Sequence, residues 1–182
     1  MLYTRKGDAG TTKVFGCNQR LSKSSVIAEA LGSLDEINSF LGIIKTHTAA
    51  SEVVCSGDKL PSLIHKIQEN LFIIQAEVAG ADKHVSEDKV KEIEATVDFI
   101  EKVLPPIKTF FISGGTNIAA HIDTARTLAR RAERRVVAVS EEGNAKVMPQ
   151  TLAYLNRLSS LLYALARLSN HIYGKNEESP KY

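Results

Sequence analysis

Apolar residues recur at alternating intervals of three and four along five stretches of the chain, the period that gathers them on one side of an α-helix. The first stretch opens near Ser24, continues through Ile27, Leu31, Leu34, Ile37, Leu41 and Ile44, and should end around 46–50. A second, Leu60, Ile64, Ile67, Leu71, Ile74 and Val78, follows the breaker Ser56-Gly57-Asp58, carries Pro61 in its first turn and stops near Gly80 and Asp82. The third, shorter stretch is Val90, Ile93, Val97, Ile100 and Leu104, opened by Ser86-Glu-Asp and closed by Pro105-Pro106. The fourth has the cleanest seam, Ile118, Ile122, Ala125, Ala129, Ala132, Val136 and Val139, which predicts a helix from about Thr116 to Glu141 before Gly143-Asn144. A fifth stripe, Leu152, Leu155, Leu158, Leu162, Leu165 and Ile172, runs from Pro149 to Gly174. No segment reads as a strand.

Mixed three-four spacing over several turns favours nearly parallel packing, so the expected fold is all-α, an up-and-down bundle of five long helices. The chain has 182 residues, 43% of them hydrophobic, enough to bury the core of a single domain. Within it, 1–23 form an N-terminal loop, 24–174 the bundle and 175–182 a polar tail. The N-terminal loop and the linker from Pro105 to Gly115 fall outside the helical pattern and contain Gly7, Gly10, Gly16, Gly114 and Gly115, so both are candidate functional loops.

Charge is nearly balanced, with 23 Lys and Arg against 21 Asp and Glu, so anion binding must come from local clustering rather than from a basic surface overall. Cys17 and Cys55 form no CxxC pair, which argues against a disulfide framework or structural zinc and fits a reducing compartment. No secretory apolar core or membrane-length apolar run is evident, so a soluble, cytoplasmic protein without a membrane partner is expected.

Positive charge collects on the fourth helix. At about 100° per residue, Arg126, Arg130 and Arg134 share one face beside the apolar seam, with Arg131 and Arg135 on its other flank. Like charges four residues apart repel by roughly 0.2–0.5 kcal/mol per pair. Asp123 and Glu133 are the nearby acids on the same helix, and two acids do not neutralise five arginines. Three planar forks over about 12 Å suit the oxygens of a polyphosphate. A solvated basic face or an RNA-binding ridge satisfies the same spacing.

The N-terminal segment Thr4-Arg-Lys-Gly-Asp-Ala-Gly-Thr-Thr-Lys13 combines glycines, hydroxyls and cations, the composition of a phosphate cradle. It lacks the GxxxxGK[ST] order and flanking strand and helix of a P-loop. A basic tail is the alternative.

Four segments, Thr4-Arg-Lys-Gly-Asp-Ala-Gly-Thr-Thr, Leu31-Gly-Ser-Leu-Asp-Glu-Ile-Asn-Ser, Arg130-Arg-Ala-Glu-Arg-Arg and Tyr154-Leu-Asn-Arg-Leu-Ser, resemble in sequence and order the PduO-type ATP:cob(I)alamin adenosyltransferases. The resemblance spans nearly the whole chain. It implies transfer of the 5′-deoxyadenosyl group of ATP to the cobalt of cob(I)alamin, and a homotrimer with sites between subunits. It places ATP against Thr4, Arg5, Lys6, Gly7, Thr12, Lys13 and Lys23, and against Arg130, Arg131, Ala132, Glu133, Arg134 and Asn156. It pairs Asp35 with Arg126 across the subunit boundary and sets Phe110 near the lower face of the corrin, where it helps exclude the lower axial ligand. Catalysis would thus fall to Arg130, Asp35, Arg126 and Phe110.

The chemistry is compatible with what the chain lacks. Cobalt(I) is already a strong nucleophile, so no general base is needed, and fixed cations stabilise charge growing on the departing triphosphate. Magnesium should arrive with ATP, since that ion is commonly held through substrate phosphates. A reductase is expected to supply electrons, and no nucleic acid is expected as a partner. Two departures stand out: Ser113 occupies a common proline position before the paired glycines, and Ser160 a common aspartate position. A helical RNA-binding or anion-sensing module is the competing reading. A ferritin-like metal bundle is disfavoured because paired Glu-x-x-His motifs are missing from the helices.

Overall fold

Five helices arise where the apolar spacing places them, as seen in a computed structural model that describes residues 3–14, 20–49, 51 and 53–182. They are α1 (Val26–His47), α2 (Leu60–Val78), α3 (Glu87–Val103), α4 (Asn117–Glu141) and α5 (Pro149–Ile172). Local chemistry explains their ends. Ser25 and Thr116 cap α1 and α4 by accepting the amides of Ala28 and Ala119, and Pro61 and Pro149 occupy the first turns of α2 and α5. Leu104 takes an extended backbone, ψ 150°, as the residue before Pro105 must, and α3 stops. Gly16 and Cys17 lie outside the described residues.

The expectation of no strands is corrected by two short hairpins. β1 (Thr11–Lys13) pairs antiparallel with β2 (Arg20–Ser22), and β3 (Val54–Cys55) with β4 (Asp58–Lys59). Strands of two or three residues are too short to display a period of two. The second hairpin also hides its turn signal: Ser56 and Gly57, which read as a helix breaker, both have positive φ (51° and 86°), the conformation of a type I′ turn.

Helix α1 packs on α2 and α4, and α5 on α4 and α3. The seam of α4 is rich in alanine, and Ala119, Ala125, Ala129 and Ala132 are fully buried there beside Ile122, Val136 and Val139. Facing them are Leu34, Ile37 and Leu41 of α1 and Leu155, Leu158, Leu162 and Leu165 of α5, all within one core. A buried carboxylate joins α2 to α5: Glu77 accepts the Met148 amide at 2.6 Å and the Thr151 hydroxyl, placing negative charge at the positive end of the α5 dipole. No helix among the described residues is long and apolar enough to cross a membrane.

The polar tail folds back on the linker between α3 and α4. Arg167, only 7% exposed, donates to both carboxylate oxygens of Glu177 (2.8 and 3.0 Å from Nε) and to the Pro105 carbonyl at 3.1 Å. The Ile112 amide donates to the Glu178 carbonyl at 2.8 Å.

Candidate active site

The five arginines of α4 divide according to the helices beside them. Arg131 pairs with Glu36 and Arg135 approaches Glu29 at 3.8 Å, both acids on α1. Arg126 donates from Nε to Asp123 at 3.3 Å and lies 5.9 Å above the Tyr163 ring. Among the described residues Arg130 and Arg134 have no ion pair. They line a hollow of about 320 Å³ with Glu133, Val137 and Asn156. There Asn156 donates to Glu133 at 3.0 Å, so the acid is engaged sideways while both guanidiniums keep their donors. Ala132, expected with this group, is fully buried in the core, and Arg131 is turned toward α1.

A second hollow, of about 670 Å³, adjoins the first through Arg130. Its lining includes Phe110, Phe111, Arg126, Ser159, Ser160 and Tyr163. Phe110 is 80% exposed, so this ring is not part of the core. Burial raises the Tyr163 phenol above its usual range, and Arg167 draws it partly back. The segment presenting Phe110 ends in a turn clamped by Asn170: its side-chain oxygen accepts the Thr116 amide at 2.8 Å, and its amide donates to the Gly114 carbonyl at 2.9 Å. Gly115, with φ 95°, passes so close that a β-carbon there would lie 2.5 Å from the Asn170 oxygen.

The N-terminal residues form a separate cluster. The Lys23 amide donates to the Gly10 carbonyl at 2.9 Å, and its ammonium packs against Gly7, 3.3 Å from where a β-carbon would stand. Arg20 donates to both the hydroxyl and the carbonyl of Thr11 at 2.8 Å, and Arg5 lies over Tyr3. Thr4, Arg5, Lys6, Gly7, Thr12, Lys13 and Lys23 are thus gathered around one hairpin, but none lines the Arg130–Arg134 hollow of the same chain. Asp35 is exposed on α1, and the acid beside Arg126 in the chain is Asp123. A larger hollow, about 730 Å³, lies between Val14, Leu21 of β2, the end of α2 and the α4–α5 connection. Its lining mixes Glu77 and Asp82 with Lys83, His84 and Lys146, and contains no guanidinium among the described residues.

An aromatic hollow and a cationic one thus meet at a shared arginine, Arg130. The family model for cobalamin adenosyltransferase matches residues 2–169. The chain belongs to the cobalamin adenosyltransferase family. The corrinoid adenosyltransferase PduO of Citrobacter freundii is 39% identical over 180 residues, covering 93% of this chain and 50% of that protein. This chain therefore spans half the length of that relative. The corrinoid adenosyltransferase of Bacillus subtilis is 34% identical over 173 residues, covering 93% of this chain and 86% of that protein. Among solved structures, a variant PduO-type ATP:corrinoid adenosyltransferase from Lactobacillus reuteri, complexed with cobalamin and ATP, superposes with a TM-score of 0.87 at 30% identity. The match covers 100% of this chain and 97% of that one.

Sequence reasoning missed Tyr163, Asn170 and Arg167, and singled out Asp123 only as an acid near the arginines, not as an acceptor for the Gly114 amide. Tyr163 sits on α5 one turn from Ser159 and Ser160, off the leucine stripe, and reads as surface until the Phe110 segment folds across it. Asn170 and Arg167 lie between Leu165 and Ile172 and bear no helical signature of their partners: Thr116 is 54 residues from Asn170, Pro105 is 62 from Arg167, and Glu177 lies beyond the end of the helix. The two departures from the family pattern fall in this region as well: Ser160 lines the Phe110 hollow and Ser113 precedes the clamped turn.

Proposed function

We propose that the chain transfers the 5′-deoxyadenosyl group of ATP to the cobalt of cob(I)alamin, giving adenosylcobalamin and triphosphate. The observation that carries this reading is the position of Arg130, which borders both the hollow of Arg134 and Asn156 and that of Phe110. A triphosphate held in the first and a corrin against the second would face each other across one guanidinium. The cobalt electron pair forms the bond to the 5′ carbon, the carbon–oxygen bond breaks, and the triphosphate leaves with the electron pair of that broken bond; cobalt passes formally from +1 to +3. Arg130 and Arg134, which have no ion pair to dissolve first among the described residues, would stabilise the leaving charge. Phe110, exposed and rigidly based, would exclude a ligand from the lower face of the corrin.

The cations of the β1–β2 hairpin are proposed to close the ATP site of a neighbouring subunit in a homotrimer, with Asp35 of one subunit meeting Arg126 of the next. Glu133 and Asn156 would hold the nucleotide end of the site in register. Magnesium would arrive on the triphosphate, whose oxygens suit that ion. The reaction also calls for a reductase able to deliver electrons to cobalamin, and for a cytoplasmic setting.

The test is direct. Purified protein given ATP, magnesium and chemically reduced cobalamin should form a cobalt–carbon bond visible in the absorption spectrum; absence of turnover overturns the reading. Arg130→Ala should keep its assembly state yet lose about 100- to 1,000-fold in kcat, the range for removing one preorganised charge-stabilising donor. An unchanged kcat/KM would make the ladder structural.

A further inference from the structure

One buried carboxylate ties the segment that presents Phe110 to the arginine helix. Asp123 is 9% exposed, and its two oxygens serve different parts of the site. Oδ2 accepts the Gly114 amide at 3.3 Å, and Oδ1 accepts Nε of Arg126 at 3.3 Å. Gly114 lies four residues beyond Phe110, whereas Arg126 lines the same hollow as Phe110 and covers the Tyr163 ring. Asp123 itself does not line that hollow.

We propose that Asp123 is a positioning residue for the corrinoid half of the reaction, holding the Phe110 segment and Arg126 at a fixed separation. The inference rests on the adenosyltransferase reading above. Gly114 and Gly115 both have positive φ (129° and 95°) and carry no side chains, so their turn must be held from outside. Asn170 secures the Gly114 carbonyl and the Thr116 amide, and the Gly114 amide is left to Asp123. An ionised acceptor makes that bond stronger than a neutral one. On the other side, engaging only Nε leaves the terminal nitrogens of Arg126 with donors to spare, so its fork is aimed without being consumed. Both bonds are long. The effect therefore depends on one carboxylate serving two partners, and losing it should free both together.

Two variants separate the contributions. Asp123→Asn keeps an acceptor for the Gly114 amide but loses the charge beside Arg126; Asp123→Ala loses both. Steady-state rates with reduced cobalamin, ATP and magnesium should show KM for cobalamin rising about tenfold in Asp123→Ala, the cost of one charged hydrogen bond, and by a smaller factor in Asp123→Asn. KM for ATP should be unchanged in both. With ATP bound, electron paramagnetic resonance of cob(II)alamin should show the fraction lacking its lower axial ligand falling in the same order. A merely structural lesion would move both KM values together, and that result, or a cobalamin KM equal to wild type, overturns the inference. Should Asp123→Ala fail to fold, the isosteric Asp123→Asn decides alone. Wild-type protein without turnover overturns the functional reading and this inference with it; an active wild type with no split overturns only the inference.

Discussion

On α4, Glu29 and Glu36 of α1 occupy Arg135 and Arg131, Asp123 occupies Arg126, and Arg130 and Arg134 have no ion pair among the described residues. The apparent excess of like charge is thus partly neutralised from another helix. Counting acids within one helix could not reveal this, because pairs such as Arg131 with Glu36 join residues 95 positions apart. Chemistry withheld at a single residue is equally specific at Cys55. This thiol is 1% exposed, and burial, reinforced by the Asp58 carboxylate, pushes its pKa from 9.0 up to about 11. Only the thiolate reacts readily, so at pH 8 native protein should resist iodoacetamide at Cys55 while urea-unfolded protein is alkylated there, as peptide mass spectrometry would read. Equal labelling of both forms would contradict the burial. The folded value exceeds the unfolded one, so the thiolate is disfavoured by folding. Stability is therefore untouched by this group below pH 9 and declines as pH rises from 9.0 toward about 11.

At the scale of elements, the Phe110 segment shows what helical periodicity leaves out. The five helices were legible because each buries a continuous three-four stripe, and their bounds fall within a few residues of the caps and prolines that mark them. The two hairpins and the folded-back tail were not, since they depend on backbone bonds and ion pairs that repeat nothing along the chain. Gly115 is the sharpest case. Its φ of 95° disfavours any side chain, and an added β-carbon would meet Asn170 at 2.5 Å, the residue that clamps both sides of the turn. Gly115→Ala should therefore displace Asn170 and cost about 1–3 kcal/mol, from backbone strain and the lost bonds together. Urea unfolding should show a lower midpoint at an unchanged slope. Gly143→Ala supplies the contrast: its φ is also positive, at 67°, but no atom lies within 4 Å of the added carbon, so only the conformational strain should appear.

For the whole molecule, the proposed trimer turns on Asp35, exposed on α1, and Arg126, whose side chain is 26% exposed and rests on Asp123 in its own chain. Ile43 on α1 and Phe72 on α2 are also exposed, at 45% and 63%, apolar surface of the sort that assembly covers. If Asp35 of one subunit meets Arg126 of the next, each interface holds one guanidinium between two carboxylates, one from each chain. Removing Asp35 alone then leaves Arg126 a fallback in Asp123, and the loss is softened. Asp35→Asn should weaken the trimer moderately, by about tenfold per interface, seen as dissociation on dilution in sedimentation velocity. Asp35→Asn with Asp123→Asn strips the arginine of both acids, and the leftover charge, desolvated at an interface, should cost more than the two single changes added. That non-additivity is the discriminating result. Strict additivity would mean that the two carboxylates never share Arg126, and a trimer indifferent to Asp35→Asn at every concentration would remove Asp35 from the interface altogether.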